Sequence, residues 1–319
     1  LQRGTLVGSK KDLLTTEKKN KSFSKHLKKY WQLYLMVIPG FIFFIMIKYV
    51  PMLGITLAFK DYQIFNGFFE SPWVGLKHFA DFFKYPNFWR VFSNTLIIGV
   101  MKIVLTFPFP IILAILMNEL RNVHYKKAVQ TVFYIPHFFS WVIIAGLTFD
   151  LLSGTGIVNS IITFFGGEPI LFMQQSKYFR WILVLTHMWR NGGWGTIVIL
   201  AAIAGINPSL YESACVDGAN RIQQIFKITL PLLMPTIVIL FLLQMGRFLD
   251  VGFDHVFNLL TPMTYSVGDI IDTYVYRIGI LEGQYSPATA IGLFQSVIGF
   301  IFVFTFNRLS KKVTGGGIW

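Results

Sequence analysis

The chain reads as an all-α, polytopic membrane protein with six transmembrane helices. Only 13% of its 319 residues are charged and 54% are hydrophobic, against about 25% charged in an average soluble domain. Its mean hydropathy is +0.57, and Phe alone occurs 33 times. That much apolar surface exceeds what a soluble fold of this length buries. The composition excludes intrinsic disorder. A single cysteine, Cys215, excludes a disulfide scaffold and any intrachain disulfide.

A spanning helix needs about 20 mostly apolar residues. Six stretches qualify, near 31–57, 91–117, 129–150, 181–204, 230–251 and 288–306. Several contain proline: Pro39 and Pro51, Pro108 and Pro110, Pro136, and Pro235. Spanning helices tolerate this because neighbouring helices re-satisfy the freed carbonyls. The domains that follow are a basic cytoplasmic tail over 1–30, a transmembrane domain over 31–306, and a cytoplasmic tail over 307–319.

The net charge of +13 suggests nucleic acid until the cations are placed. The first 30 residues hold nine Lys/Arg. Arg121, Lys126 and Lys127 lie in the 118–128 loop, Arg221 and Lys227 in the 205–229 loop, and Arg308, Lys311 and Lys312 in the last tail. The longer loops 58–90, 151–180 and 252–287 hold seven together. The positive-inside rule then puts both termini and the first-named loops in the cytoplasm. The charge is a topology signal, and nucleic acid is not expected as a partner. The Lys-rich start does not read as a cleavable signal peptide. Its basic region is too long, and no A-x-A-like site follows.

Enzymatic motifs are missing. No P-loop, G-x-S-x-G elbow or T-V-G-Y-G filter occurs, and the six His never take metal-ligand spacing, so no catalytic or metal residue is expected. Asp250 and Asp254, and again Asp269 and Asp272, have spacings that let two carboxylates share a helix face. Both pairs are read as solvated residues at a membrane exit.

The 205–229 loop is the most informative segment. Asn207 is a good N-cap, Pro208 suits the first helical position, and Gly218 suits a helix end. Leu210, Tyr211, Ala214 and Cys215 share one face, and Ile222, Ile225, Phe226 and Thr229 follow at helical spacing. Two short helices bent at Asp217-Gly218 are expected before Leu230-Pro231 opens the fifth span. Such order suits a packed structural loop or a docking element for a cytoplasmic partner.

Glu212-Ser213-Ala214, Asp217-Gly218-Ala219, Phe226, Ile228 and Leu230-Pro231 resemble the E-A-A loop of binding-protein-dependent ABC importer permeases. The chain departs from that pattern at Ser213, where Ala is usual. Trp194-Gly195-Thr196 and Leu200-Ala201-Ala202 to Asn207-Pro208 resemble the carbohydrate-uptake branch. Pro39-Gly40, Lys48-Tyr49, Phe59-Lys60-Asp61-Tyr62 and Gly252-Phe253-Asp254 resemble its subgroup for polysaccharide-derived oligosaccharides of the rhamnogalacturonan and alginate type. The likeness runs from about Tyr34 to Arg308.

The resemblance implies a type I importer permease fold in the bacterial inner membrane. It also implies a second permease, two cytoplasmic ATPase subunits, and an extracytoplasmic solute-binding protein that delivers an oligosaccharide. ATP and Mg would belong to the ATPase, with no cofactor on this chain. Glu212, Ser213, Ala214, Asp217, Gly218, Ala219, Leu230 and Pro231 would form the ATPase-coupling element. The alternative is a self-sufficient secondary transporter or channel for a polar solute, which has no use for an ordered docking loop.

Ionisable residues inside spans are costly and mark cavities or partners. Lys48 and Lys102 lie near span ends, where snorkelling accounts for them. Arg190 lies nine residues into the fourth span, among His187, Trp189, Asn191, Gly192, Gly193 and Trp194. The two glycines are expected to loosen the helix and admit a ligand to its backbone. Gln244, Arg247 and Asp250 recur at three-residue intervals on the fifth span. They suit either an internal Arg247–Asp250 ion pair or a polar cavity wall. His187, Trp189, Arg190, Asn191, Gln244, Arg247 and Asp250 are therefore the substrate-path candidates.

Overall fold

The structure is a computed structural model that describes residues 28–314. Most of the basic N-terminal tail and the last five residues lie outside that range. The described residues hold helices and no strand, with one isolated bridge between Lys60 and Trp73. The chain divides into two units, Leu1–Gly54 and Ile55–Trp319.

The first unit carries most of α1, Trp31–Phe59. No residue from Trp31 to Tyr49 is buried within this chain. A helix apolar on all sides meets lipid or another protein.

In the second unit, α2 (Pro86–Thr106) and α3 (Pro108–Glu119) meet at Phe107. Each starts with proline at its first position, where the missing N–H costs nothing. The helix α4 (Val123–Tyr134) is capped by the Asn122 side chain, which accepts from the His124 and Tyr125 amides. Its continuation tightens at Ile135–Phe138 around Pro136 and stops. The next helices, α5 (Trp141–Leu152) and α6 (Ile157–Phe164), start afresh. The expected helix over 129–150 is thus broken, and the apolar span runs over Trp141–Phe164. Proline supplies the reason: its ring and lost donor end the helix that contains it.

The long helix α7 (Ser176–Ala204) packs against α2, α3, α4 and the later helix α9. It bends by 69° into α8 (Pro208–Val216). Among the described residues, five helical segments are long and apolar enough to cross a membrane, and α7 with α8 makes a sixth. The polar run from His187 to Asn191 keeps α7 from qualifying on its own. The fifth of the expected spans begins earlier than 230, as α9 (Arg221–Met245). No break separates the loop's second helix from it. A wide turn over Ile225–Thr229, with the Leu230 amide bonded to the Ile225 carbonyl, carries the helix past Pro231. That span ends at Met245, short of Asp250. Beyond it lie α10 (Phe253–Leu259), α11 (Ile271–Tyr276) and the last span, α12 (Tyr285–Thr314).

The glycines of α7 serve packing. A Cβ on Gly193 would stand 2.0 Å from the Phe133 carbonyl oxygen, and one on Gly192 2.4 Å from the Phe109 ring. A Cβ on Gly195 would stand 2.8 Å from the Pro110 ring. The expectation that Gly192-Gly193 admits a ligand is therefore corrected. These small residues let helix backbones touch, the usual route to association in lipid.

Gly193→Ala should lower the thermal midpoint of the detergent-solubilised protein, by an overpacking cost of about 1–3 kcal/mol. Gly146→Ala, on a helical site with nothing within 4 Å, should leave the midpoint unchanged or raise it. Equal behaviour of the two variants would refute the packing role.

Candidate functional site

A cavity of about 730 Å³ opens between α2, α7 and the end of α9. His187, Arg190 and Asn191 line it from α7, and Gln244, Arg247 and Asp250 from α9 and the turn after it. Trp189 points elsewhere and is 41% exposed. Helix geometry explains the split: Arg190 and Asn191 lie three and four residues from His187, whereas Trp189 stands two residues, about 200°, from both His187 and Asn191.

Trp141 is the floor of the site, and its sequence context gave no signal of this. The Arg190 guanidinium sits 4.5 Å from its ring centroid, and the His255 ring stacks on it at 3.9 Å. The Arg190 Nε donates to the Phe139 carbonyl at 2.9 Å, and its Nη1 to Asn191 Oδ1 at 3.2 Å. That carbonyl is available because of the break. The Ser140 hydroxyl caps α5 by accepting the Ile143 amide at 3.3 Å, the amide that a continuous helix would bond to Phe139.

Arg247 and Asp250 do not form an ion pair. Among the described residues the ion pairs are Lys84–Asp81, Arg221–Glu119 and Arg277–Asp269. Asp250 is exposed and accepts the Gly252 amide at 3.2 Å.

Lys102 does not snorkel. It is 6% exposed, within a wall of the cavity. Its Nζ reaches the Val251 carbonyl at 2.5 Å and His255 Nδ1 at 2.8 Å. His255 Nε2 meets Thr186 Oγ1 at 2.8 Å. Burial first, then the nearby Lys102, His187 and Arg190, holds the His255 pKa well below the usual imidazole range. His187 Nδ1 is buried and has no hydrogen-bond partner.

The carboxylate pairs part company. Asp254 is exposed. Asp269 is fully buried, paired with Arg277, and takes the Thr273 hydroxyl at 2.8 Å. Asp272 is half-buried and receives the Gln295 amide at 3.0 Å. The reading of Asp269 as a solvated residue is corrected: the turn before α11 places it opposite Arg277.

At the other end of α7 lies the bent loop. The Asn207 side chain accepts the Ser209 amide at 3.1 Å, and Pro208 opens α8. Gly218 has φ +80°. Its amide reaches the Cys215 carbonyl at 3.1 Å, and the Ala219 amide the Ala214 carbonyl at 2.8 Å. This is the paired closure of a glycine C-terminus. Asn220 then caps α9: it accepts the Gln223 amide at 2.9 Å, and Gln223 Oε1 accepts the Asn220 amide at 2.8 Å. The Tyr211 and Thr229 hydroxyls meet at 2.9 Å across the bend. Glu212, Ser213, Asp217, Gly218 and Pro231 are exposed, and Ala214, Ala219 and Leu230 are half-buried. No residue of α8 is buried.

No family model matches the chain. It is similar to the polygalacturonan/rhamnogalacturonan transport system permease protein YteP of Bacillus subtilis (strain 168), with 48% identity across 90% of each chain. The chain belongs to the carbohydrate-uptake ABC importer permeases. Protein LplB of the same organism is 42% identical to this permease over 98% of this chain and 99% of its own length. Among solved structures, a subunit of a bacterial ABC transporter involved in the import of the acidic polysaccharide alginate is 41% identical. It covers 91% of this permease and 99% of its own chain with a TM-score of 0.85. A complex of a bacterial alginate ABC transporter with an alginate pentasaccharide-bound periplasmic protein gives 40% identity, 93% and 99% coverage, and a TM-score of 0.85.

Trp141, His255 and Thr186 escaped the sequence reading, and Lys102, expected to snorkel, is instead buried in the cavity wall. Each is a single residue in an apolar run whose partner lies far along the chain.

Asp269→Asn leaves Arg277 without its carboxylate and should cost about 3 kcal/mol of stability, read as a lower unfolding midpoint in detergent. Asp254→Asn, on an exposed side chain, should not move that midpoint, and a matching drop would show that the Asp269 pair carries no special share.

Proposed function

We propose that this permease is one of two halves of an ATP-driven importer for oligosaccharides cut from an acidic polysaccharide. The observation that carries this reading is the continuity of α7. One helix holds Arg190 in the cavity wall and ends, 14 residues or about 21 Å later, at the capped and exposed helix α8. A rigid helix pair can pass a rigid-body movement between the two sites.

In this reading α8 docks into a cytoplasmic ATPase. Glu212 makes polar contacts there. Gly218 permits the bend, and Ser213, Ala214, Asp217 and Ala219 complete the surface. Leu230 and Pro231 tie it to α9. The ATPase is a separate chain that binds ATP and Mg and does the hydrolysis, so this chain supplies path and lever. Both termini and α8 face the cytoplasm, as the loop cations require. A binding protein delivers substrate from outside, and the path lies between this chain and a second permease. His187, Arg190, Asn191, Gln244, Arg247 and Asp250 line the part that falls on this chain. Trp189 faces away from the cavity and stands outside that lining. Arg190 and Arg247 suit a carboxylated sugar, in keeping with relatives named for polygalacturonan/rhamnogalacturonan and alginate.

In a pull-down of the detergent-solubilised complex, wild type should retain its ATPase. Glu212→Ala should weaken retention about tenfold, as for an interface hot spot. Gly218→Pro, whose ring forbids a φ of +80°, should abolish it. Arg190→Glu should keep the ATPase yet lose uptake of an oligogalacturonide in proteoliposomes. Transport by this chain alone, without ATPase, would hand the case to a secondary transporter.

A further inference from the structure

A buried lysine in the cavity wall has an unused hydrogen-bond donor and no carboxylate within ion-pair distance. Its hydrogen bonds can be given a direction from their far end. Thr186 Oγ1 donates to the Ile182 carbonyl at 2.7 Å, so its oxygen accepts from His255 Nε2–H at 2.8 Å. His255 Nδ1 is then an acceptor, and Lys102 donates to it at 2.8 Å. A second Lys102 N–H goes to the Val251 carbonyl at 2.5 Å. An ammonium has three donors. The third finds no acceptor among the described residues, although Lys102 lines the cavity.

Charge balance points the same way. Among the described residues no carboxylate lies within ion-pair reach of Lys102, Arg190 or Arg247. Arg190 is held by neutral acceptors. The one carboxylate lining the cavity, Asp250, is exposed and bonded to its own turn. A buried cation without a partner is costly. It is tolerated where the partner arrives with a ligand.

We propose that Lys102 is the specificity-determining cation of the cavity, reading the carboxylate of a uronate sugar, with His255 as its positioning residue. The inference rests on the oligosaccharide-import reading and adds what that reading lacks, a residue that separates acidic from neutral sugars. A hydroxyl satisfies the free N–H and leaves the charge unmatched. A carboxylate satisfies both. Sites built to bond a polar group reject ligands that lack it, because the protein's own group is left unpaired. His255 acts through Lys102 alone: Thr186 fixes its tautomer, and the tautomer turns the Nδ1 lone pair toward the ammonium.

The test uses the assembled importer, with its binding protein, in proteoliposomes. The probes are trigalacturonate and its fully methyl-esterified form, of equal length and hydroxyl pattern. The readout is the ratio of their uptake rates, which cancels losses of folding or assembly. ATP hydrolysis stimulated by loaded binding protein is read alongside. Lys102→Met should lower the acid-to-ester ratio about tenfold, the size of one lost charge-assisted hydrogen bond. Lys102→Arg should keep the ratio. His255→Leu should lower it, and His255→Asn, which retains an acceptor near Nδ1, should restore it. An unchanged ratio in Lys102→Met, or an equal fall with both sugars, overturns the proposal. Wild-type importer that moves neither sugar, while hydrolysing ATP, overturns the oligosaccharide reading itself.

Discussion

The close approach of α7 to α3 and α4 at Gly192 and Gly193 is the constraint on which the site depends. Only hydrogen fits between Gly193 and the Phe133 carbonyl. That contact lets Arg190, three residues back along the helix, reach the chain just beyond Pro136. In a bilayer core there is no water to take a carbonyl released by a helix break. The Arg190 Nε takes it. The glycines on one helix and the proline before the other are therefore two halves of one arrangement. Trp141 enters the cavity because α5 restarts where it does, one residue past Ser140.

Local signals were the legible ones. Asn207, Pro208 and Gly218 each act within a few residues of themselves, so the bent loop could be drawn from their order. The structure adds Asn220, whose reciprocal bonds with Gln223 start α9. Apolar helices overlap each expected span, but the third starts twelve residues later and the fifth nine residues earlier than the hydropathy of the sequence suggests. Pro136 divides what hydropathy alone reads as one helix. Pro231 divides nothing, because a wide turn absorbs it. The resemblance to a known family located the loop's partners, which no pattern of apolar residues conveys.

The cavity was half legible. Arg190 stood out because a cation in the middle of a span needs a reason, and its helical neighbours His187 and Asn191 follow it into the cavity. Trp189 does not, because it stands two steps, about 200°, from both His187 and Asn191. Lys102, His255 and Thr186 form their network across 69 to 153 residues of chain. No window of sequence holds such a group together. Lys102 in particular was hidden by a sound general rule, since a lysine near a span end does reach for the interface when nothing nearer accepts its protons. Here the Val251 carbonyl and the His255 ring are nearer.

The polar economy of the molecule differs between its two charged clusters, and the difference bears on what each is for. Around Asp269 the partners are complete: Arg277 and Thr273 meet the carboxylate, and Asn94 bonds the backbone carbonyl at 3.1 Å. Such a cluster holds elements in place and asks nothing of a ligand. Around the cavity the cations are held by backbone and amide oxygens, and charge is left over. A chain that balances its ions in one place and leaves them unbalanced in another, within the same membrane domain, has kept the second place less stable than it could be. The deficit borders the middle of α7, the helix that ends at the exposed bend into α8. A ligand that supplies the missing negative charge would therefore act on the element best placed to carry its arrival to the far side of the membrane.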